Sequence, residues 1–180
     1  MKFSDIKQFT EDAHYRINLP WDYLEDWLHK DRDGVIPDLN PEFQRAHVWT
    51  EAQQIAFVEF MLRGGQGSSE IRFNCVGWMK DFRGPFVLVD GKQRLEAVRR
   101  FLANEIRVFD KYHGCGGTGF YYKDFEDKPW LGHVDFIVRI NSLPDMKSVL
   151  KWYLEINSGG IAHTEAELNK VRKMLGKNHD

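Results

Sequence analysis

Apolar and polar residues recur along this chain with two different periods, which predicts both helices and strands. Apolar residues three or four positions apart predict amphipathic helices at 21–28 and 55–62. Alternation predicts a strand at 71–78, and an apolar run predicts a second strand at 86–90 that pairs with it as an antiparallel hairpin. The two periods together predict a mixed α+β fold, in which helices pack over a small mixed sheet.

Signals for the ends of helices refine this pattern. Thr50 followed by Gln53 has the spacing of a capping box, and Ile55, Val58 and Leu62 are expected to form the buried stripe of the helix that follows. Further predicted elements are a helix at 92–104, strands at 106–109, 120–122 and 134–140, a helix capped by Asp145 that ends at 157–160, and a last helix from 164 with Leu168, Val171 and Leu175 facing inward.

The overall charge of the chain is small. A formal net charge of −2 and a pI near 6.4 do not suggest a protein that coats nucleic acid through bulk charge, so any contact with DNA needs a local basic patch. Charge runs on helices are usually solvated faces, and we keep that interpretation beside the DNA-binding one. The candidate patches are a cluster of Lys92, Arg94, Arg99, Arg100, Arg107 and Lys111, and a basic end of Lys170, Arg172, Lys173 and Lys177.

Cysteine usage and hydropathy bear on the compartment. Cys75 and Cys115 have neither the spacing of a zinc site nor that of a disulfide framework, which fits a reducing environment. No apolar run approaches the roughly 18 residues needed to cross a membrane, and the N-terminus lacks the apolar stretch of a signal peptide. We therefore expect a cytoplasmic protein with no membrane partner, whose 180 residues form a single domain, 1–180.

The segment 89–94 combines chemical groups that suit an anion. Asp90 ends an apolar strand, and Gly91 lets the backbone approach a ligand without a Cβ in the way. The first turn of the next helix supplies backbone N–H groups and the positive end of the helix dipole, and Lys92 and Arg94 can lean back over the corner. An ordinary Asp-Gly turn before a solvated helix is the alternative.

A second polar segment lies upstream. Gln44 and Arg45 are framed by large apolar residues, and His47 is a candidate acid or base, although an ordinary surface histidine is favoured. Trp49 and Trp78 are candidates for stacking on a base, with core packing as the default.

Three signatures occur in a fixed order: Phe43-Gln44-Arg45, the segment 89–95, and the segment 156–160. In this order they resemble the N-terminal domain of GmrSD-type modification-dependent restriction proteins. The resemblance implies a ParB/sulfiredoxin-like fold and nucleotide binding, often with hydrolysis, through an Asp-Gly-x-Gln-Arg corner. Family members carry an additional nuclease domain, and we expect none within these residues.

The resemblance implies roles for individual residues. It implies nucleotide binding by Gln44, Arg45, Gly91, Lys92, Arg94 and Asn157. The chemistry of the residues suggests catalytic roles for Asp90, Arg94, Arg45 and Gln93: Asp90 can ligate Mg²⁺ or orient an attacking water, the arginines can donate to phosphate oxygens, and Gln93 or Gln44 can position the water. Lys92 stands where a second glutamine is common in the family, which adds a cation and leaves the pattern intact. An ion pair with a helix acid is the alternative for Arg45, and a helix cap is the alternative for Asn157.

Three functions remain open on the sequence. The leading one is a nucleotide-binding protein that hydrolyses a nucleoside triphosphate (ATP, GTP or CTP) or transfers its phosphate, in the service of DNA modification, restriction or counter-restriction. The second is a DNA-binding module without turnover. The third is an interaction or inhibitor protein of phage or mobile-element origin, with a separate nuclease or host protein as its partner.

Overall fold

A computed structural model describes residues 2, 5–6, 9–10, 15–30, 35–44, 48–65, 67–81, 83–110, 118–126, 134–157 and 165–177. These residues form a mixed α+β fold, as the sequence predicts. The strands are β1 (Tyr15–Pro20), β2 (Glu70–Cys75), β3 (Phe86–Asp90) and β4 (Asp135–Asn141). The helices are α1 (Leu24–His29), α2 (Glu51–Leu62), α3 (Lys92–Leu102), α4 (Met146–Asn157) and α5 (Glu165–Lys177). Short 3-10 turns occupy Trp21–Tyr23 and Tyr122–Asp124.

The four strands form one mixed sheet in the order β1-β4-β2-β3. The predicted hairpin of β2 and β3 is antiparallel, with a register shift between Arg72 and Phe73. β1 pairs antiparallel with β4, and β4 pairs parallel with β2. β3 therefore lies beyond the parallel pair, with α3 leaving from its carboxyl end.

The main core lies between one face of the sheet and the helices α1, α2 and α3. Alternate residues of each strand are buried there, because successive side chains of a strand point to opposite faces. The sheet contributes Leu19, Ile71, Phe73, Phe86, Leu88, Phe136, Val138 and Ile140, and the helices contribute Leu24, Trp27, Phe57, Val58, Leu95, Val98 and Phe101.

A second apolar cluster fastens α4 and α5 to β3. Val87 and Val89 pack there with Leu150 and Trp152 of α4 and Val171 of α5. Phe43 joins this cluster and contacts Tyr153 with ring centroids 5.3 Å apart. This packing brings Gln44 and the C-terminal half of α4 to the carboxyl end of β3.

Several local predictions are confirmed. Thr50 and Gln53 form the capping box at the start of α2. Asp145 Oδ1 accepts a hydrogen bond of 2.7 Å from the backbone nitrogen of Ser148 in the first turn of α4. In α5, Leu168 and Val171 are buried and Leu175 is partly buried. Thr164, the expected cap of α5, lies outside the described residues.

Other predictions are corrected. Strand β1 was not expected, because its alternation is short and it is stabilised by pairing with β4, which lies far along the chain. The buried stripe of α2 consists of Gln54, Phe57, Val58 and Met61, whereas Ile55 and Leu62 are only partly buried, because α2 has apolar residues around much of its circumference. Where strands are predicted at 106–109 and 120–122, the structure has an isolated β-bridge between Val108 and Phe120 instead.

Within the described residues, the structure has no helix of the length and apolar character that crossing a membrane requires.

Candidate anion-binding site

The corner between β3 and α3 forms the floor of a small pocket. Asp90 is the last residue of β3, and Gly91 has a φ of +99°, a left-handed conformation that favours glycine. A Cβ at this position would come within 3.2 Å of the Glu70 carbonyl oxygen and of Ile71. Gly91 has no side chain with which to cap α3. Because α3 (Lys92–Leu102) begins at the corner, the positive end of its helix dipole lies there.

The pocket has a volume of about 150 Å³ and draws its walls from three separate segments. Every predicted site residue that the structure describes lines it; Arg45 lies outside the described residues, as does His47. The lining consists of Gln44, Trp49, Val89, Asp90, Gly91, Lys92, Gln93, Arg94, Tyr153 and Asn157. Residues that are far apart in the chain thus meet at one opening.

Asp90 and Arg94, both in this lining, form an ion pair. Arg94 Nη2 donates a hydrogen bond of 2.8 Å to Asp90 Oδ2, and each side chain is 24% exposed. The Nε of Arg94 is buried, and no described residue offers it a hydrogen-bond partner. Buried N–H groups are almost always hydrogen-bonded, so this one is a candidate donor to a ligand. In the Arg94 guanidinium, Nη2 is therefore hydrogen-bonded within the protein, whereas Nε is not bonded to any described residue.

The two glutamines of the pocket are tied to the backbone. Gln44 Nε2 donates a hydrogen bond of 2.6 Å to the carbonyl oxygen of Leu88 in β3. Gln93 Oε1 accepts hydrogen bonds of 3.0 Å from the backbone nitrogens of Val48 and Trp49. The oxygen of Gln93 therefore fastens the segment before α2 to the start of α3, a structural contact that comes in addition to the role the sequence predicts for this residue.

The far wall is built from α4 and from Trp49. Asn157, buried at the end of α4, donates its Nδ2 to the carbonyl oxygen of Tyr153 at 2.7 Å. Asn157 thus lines the pocket and also bonds to its own helix, so both of its predicted roles are compatible with its position. Trp49 is partly exposed and packs against Phe57 with ring centroids 5.5 Å apart. Trp49 is also among the residues that line the pocket.

Among the described side chains that line the pocket, Asp90 could serve as a ligand of Mg²⁺. No group of three or more His, Cys, Asp or Glu side chains suited to a metal ion occurs among the described residues. Asp90 is the one carboxylate in the described lining of the pocket, and its Oδ2 is already shared by two guanidiniums. Mg²⁺ is commonly held by one or two carboxylates together with substrate phosphates. Asp90 therefore suits an ion that arrives with a nucleotide rather than one held by the protein alone.

A chain of alternating charges, which sequence reasoning missed, extends from the pocket across the sheet. Arg72 Nη1 donates to Asp90 Oδ2 at 3.1 Å, and Arg72 Nη2 donates to Glu70 Oε2 at 2.5 Å. Glu70 Oε1 accepts from Arg139 Nη2 at 2.7 Å. The register of the sheet places Arg16, Arg139, Arg72 and Asp90 opposite one another in that order. This arrangement depends on the pairing of strands that are distant in the chain, so it cannot be predicted from a local sequence pattern.

The basic patch predicted on α3 is paired internally. Arg99 binds Glu25 through Nε at 2.6 Å, and this hydrogen bond raises the pKa of the guanidinium. Arg100 forms ion pairs of 2.9 and 3.0 Å with Glu51 and Glu105. Both arginines are therefore already paired with acidic side chains.

The other described candidates from the sequence do not line the pocket. Trp78 is 8% exposed and packs against Phe86, so core packing, the default interpretation, is confirmed for it. Cys75 is buried, and Cys115 lies outside the described residues. Of the basic C-terminal residues, Lys170 donates to the backbone oxygen of Glu42 at 3.2 Å and Arg172 donates to Asn169 at 2.7 Å.

Comparison of the chain with protein-family models, with curated proteins and with solved structures finds no match. The resemblance to GmrSD-type N-terminal domains and the ParB/sulfiredoxin-like fold therefore remain predictions from the three signatures.

Proposed function

We propose that this protein binds a nucleoside triphosphate by its phosphates at the β3–α3 corner, and hydrolyses it or transfers its terminal phosphate. ATP, GTP and CTP are all candidates. The observation that carries this proposal is the convergence of Gln44, the segment Asp90 to Arg94, and Asn157 on one pocket. These polar groups come from three separate parts of the chain.

The charges of the pocket support an anionic ligand. Lys92 and Arg94 line it together with one carboxylate, that of Asp90, so the cations are in excess. A planar guanidinium can donate two parallel hydrogen bonds to phosphate oxygens, and the ammonium group of Lys92 adds a compact charge. The N-terminus of α3 contributes the positive end of its dipole at the same place.

The size of the pocket suggests how much of a nucleotide it encloses. Its volume of about 150 Å³ is smaller than the roughly 300–1,000 Å³ typical of pockets that enclose a whole small molecule. We expect the phosphate chain to occupy it and the base to extend towards Trp49. Stacking on an aromatic ring tolerates any base, which agrees with a site whose base preference the sequence leaves open.

Phosphoryl transfer depends mainly on placement and electrostatics, and these residues can supply both. Arg94 and Lys92 offset charge on the phosphate oxygens, while Asp90 and Gln44 orient a water molecule. The water oxygen attacks the terminal phosphorus, and the bond to the bridging oxygen breaks, so that the nucleoside diphosphate leaves with the electron pair of that bond. One water proton stays on the inorganic phosphate, and the other is released to solvent. Asp90 is the residue that would hold Mg²⁺ bound to the phosphates, and that ion would supply further neutralisation of charge.

The biological setting that we propose follows from the resemblance. Modification, restriction or counter-restriction of DNA is the expected context, in the cytoplasm. A separate nuclease or host protein would be the partner that uses nucleotide turnover.

Release of phosphate from ATP, GTP and CTP in the presence of Mg²⁺ tests the proposal. We expect Arg94→Ala to lower the rate about a hundredfold, since loss of one positioned donor costs on the order of 3 kcal/mol in a transition state. Asp90→Ala should abolish activity. Arg107→Ala and Asp81→Ala, which change the same residue types outside the pocket, should leave it intact. Activity that survives both pocket substitutions would overturn the proposal.

A further inference from the structure

Two guanidiniums share one oxygen of Asp90, and only one of them lines the pocket. Arg94 Nη2 and Arg72 Nη1 lie 2.8 and 3.1 Å from Asp90 Oδ2. Arg94 lines the pocket, whereas Arg72 approaches Asp90 from β2 and also binds Glu70. The carboxylate thus retains one cationic partner if the other turns towards a ligand.

The geometry points to Arg72 as a positioning residue that makes Arg94 available to a bound phosphate. This inference rests on the proposed function, because it concerns the same pocket. The Nε and Nη2 of an arginine form one edge of the guanidinium fork, and this edge suits two oxygens of a phosphate. In Arg94, Nη2 is engaged by Asp90 while Nε has no described partner. A phosphate on this edge approaches the same nitrogen as Asp90, and the two anions either share its two N–H groups or compete for one of them.

Whether Arg94 can turn from Asp90 to the phosphate depends on Arg72. With Arg72 in place, Asp90 keeps a hydrogen-bonded cation when Arg94 turns to the phosphate. Without Arg72, Arg94 would be the one remaining described cation on a carboxylate that is only 24% exposed. Binding a phosphate would then leave two anions close together and one of them poorly solvated, which costs free energy. Phosphate affinity should fall although Arg72 makes no contact with the ligand.

The sheet fixes Arg72 in this position. Arg72 and Asp90 are direct partners in the register of β2 and β3, which brings their side chains within reach. Glu70 binds the other end of the guanidinium and is itself bound by Arg139. This arrangement limits the rotation of Arg72 and aims Nη1 at Asp90.

A double-mutant cycle separates this role from simple attraction between Arg72 and an anion. The ligand is inorganic triphosphate in EDTA, so that metal coordination does not contribute, and affinity is measured by calorimetry. We expect Arg72→Gln to weaken binding about tenfold in the wild-type background, since a hydrogen bond between charged groups is involved. In an Asp90→Asn background, where no carboxylate competes for Arg94, the same substitution should cost less than about twofold. Equal losses in the two backgrounds would overturn the inference.

Matched controls exclude a general effect of charge or folding. Arg139→Gln removes the same charge from the same row without touching Asp90, and it should weaken binding less than Arg72→Gln. Arg72→Lys keeps a cation next to Asp90 and should restore most of the affinity. If Arg72→Gln does not fold, Glu70→Gln gives the answer. It removes the carboxylate that holds Arg72 towards Asp90, and it should weaken binding; unchanged affinity would contradict the inference.

The same titrations distinguish the two proposals from each other. If the wild-type protein binds triphosphate neither in EDTA nor with Mg²⁺, the proposed function fails. If the wild-type protein binds, Arg94→Ala abolishes binding, and the cycle is additive, the pocket is a phosphate site and only the role of Arg72 fails.

Discussion

The side-chain oxygen of Gln93 lies 3.0 Å from the backbone nitrogen of Trp49, a residue 44 positions earlier in the chain. The same oxygen accepts the backbone N–H of Val48. Gln93 is 7% exposed, so this contact is well shielded from solvent. One buried amide of α3 therefore fixes the segment that presents Trp49 to the pocket.

Gln93→Met should lower the free energy of unfolding by about 1–3 kcal/mol, because it leaves the N–H groups of Val48 and Trp49 without their acceptor. Gln93→Glu is the matched control, since it retains an oxygen at the same place and should keep most of the stability. The added negative charge should nevertheless weaken phosphate binding. Denaturant unfolding and calorimetry give the two quantities, and a methionine variant as stable as wild type would show that the contact is unimportant.

Trp49→Ala should weaken the binding of ATP, GTP and CTP about tenfold and leave inorganic triphosphate almost unaffected. Stacking of a base on an aromatic side chain is worth about 1–3 kcal/mol, and triphosphate has no base to stack. Trp49→Phe keeps an aromatic face and should recover part of the loss. Equal losses for nucleotide and triphosphate would mean that Trp49 shapes the pocket rather than contacting the base.

Gly91→Ala should destabilise the protein by about 1–3 kcal/mol and weaken phosphate binding. The φ of +99° is strained for any residue with a side chain, and the new Cβ would crowd Glu70 and Ile71 at 3.2 Å. Gly176→Ala is the control: it lies in α5 with nothing within 4 Å of an added Cβ, and it should be neutral or stabilising. Thermal melting of both variants tests this, and equal melting temperatures would contradict the strain at Gly91.

Acid should weaken the start of α4 through Asp145. The hydrogen bond from the backbone N–H of Ser148 holds the pKa of the Asp145 carboxyl below its ordinary value. A lowered pKa means that the ionised form stabilises the folded state above the ordinary pKa, and that this contribution is lost as the pH falls through the lowered value. Asp145→Asn should therefore melt below wild type at pH 7, and the difference should shrink as the pH falls below about 4. A difference that is independent of pH would contradict this account.

Features that depend on neighbouring residues could be predicted from the sequence. The capping box of Thr50 and Gln53 is a four-residue pattern, and the strand, Asp90-Gly91 and helix follow one another directly. The corner of the site was predictable for that reason. The placement of Gln44 and Asn157 beside it followed from motif order alone, and the structure gives the physical cause, the packing of Phe43 and α4 on β3.

Features that depend on distant pairing could not be predicted. Arg72, Glu70 and Arg139 come together because β2 pairs with both β3 and β4, and no local spacing encodes that register. The contact of Gln93 with Trp49 likewise joins segments that only the fold brings together. The buried stripe of α2 is set by its packing in the core, where Phe57 rather than Ile55 turns inward.

Titration of inorganic triphosphate into ¹⁵N-labelled protein, followed by two-dimensional NMR, tests the central claim most directly. We predict saturable shifts of the backbone amides of Gly91 and Arg94, of the side-chain amides of Gln44 and Asn157, and of the indole of Trp49, with none at Arg107. Shifts confined to Arg99, Arg100 or α5, or no shifts at millimolar triphosphate, would contradict the assignment of this pocket as a phosphate site.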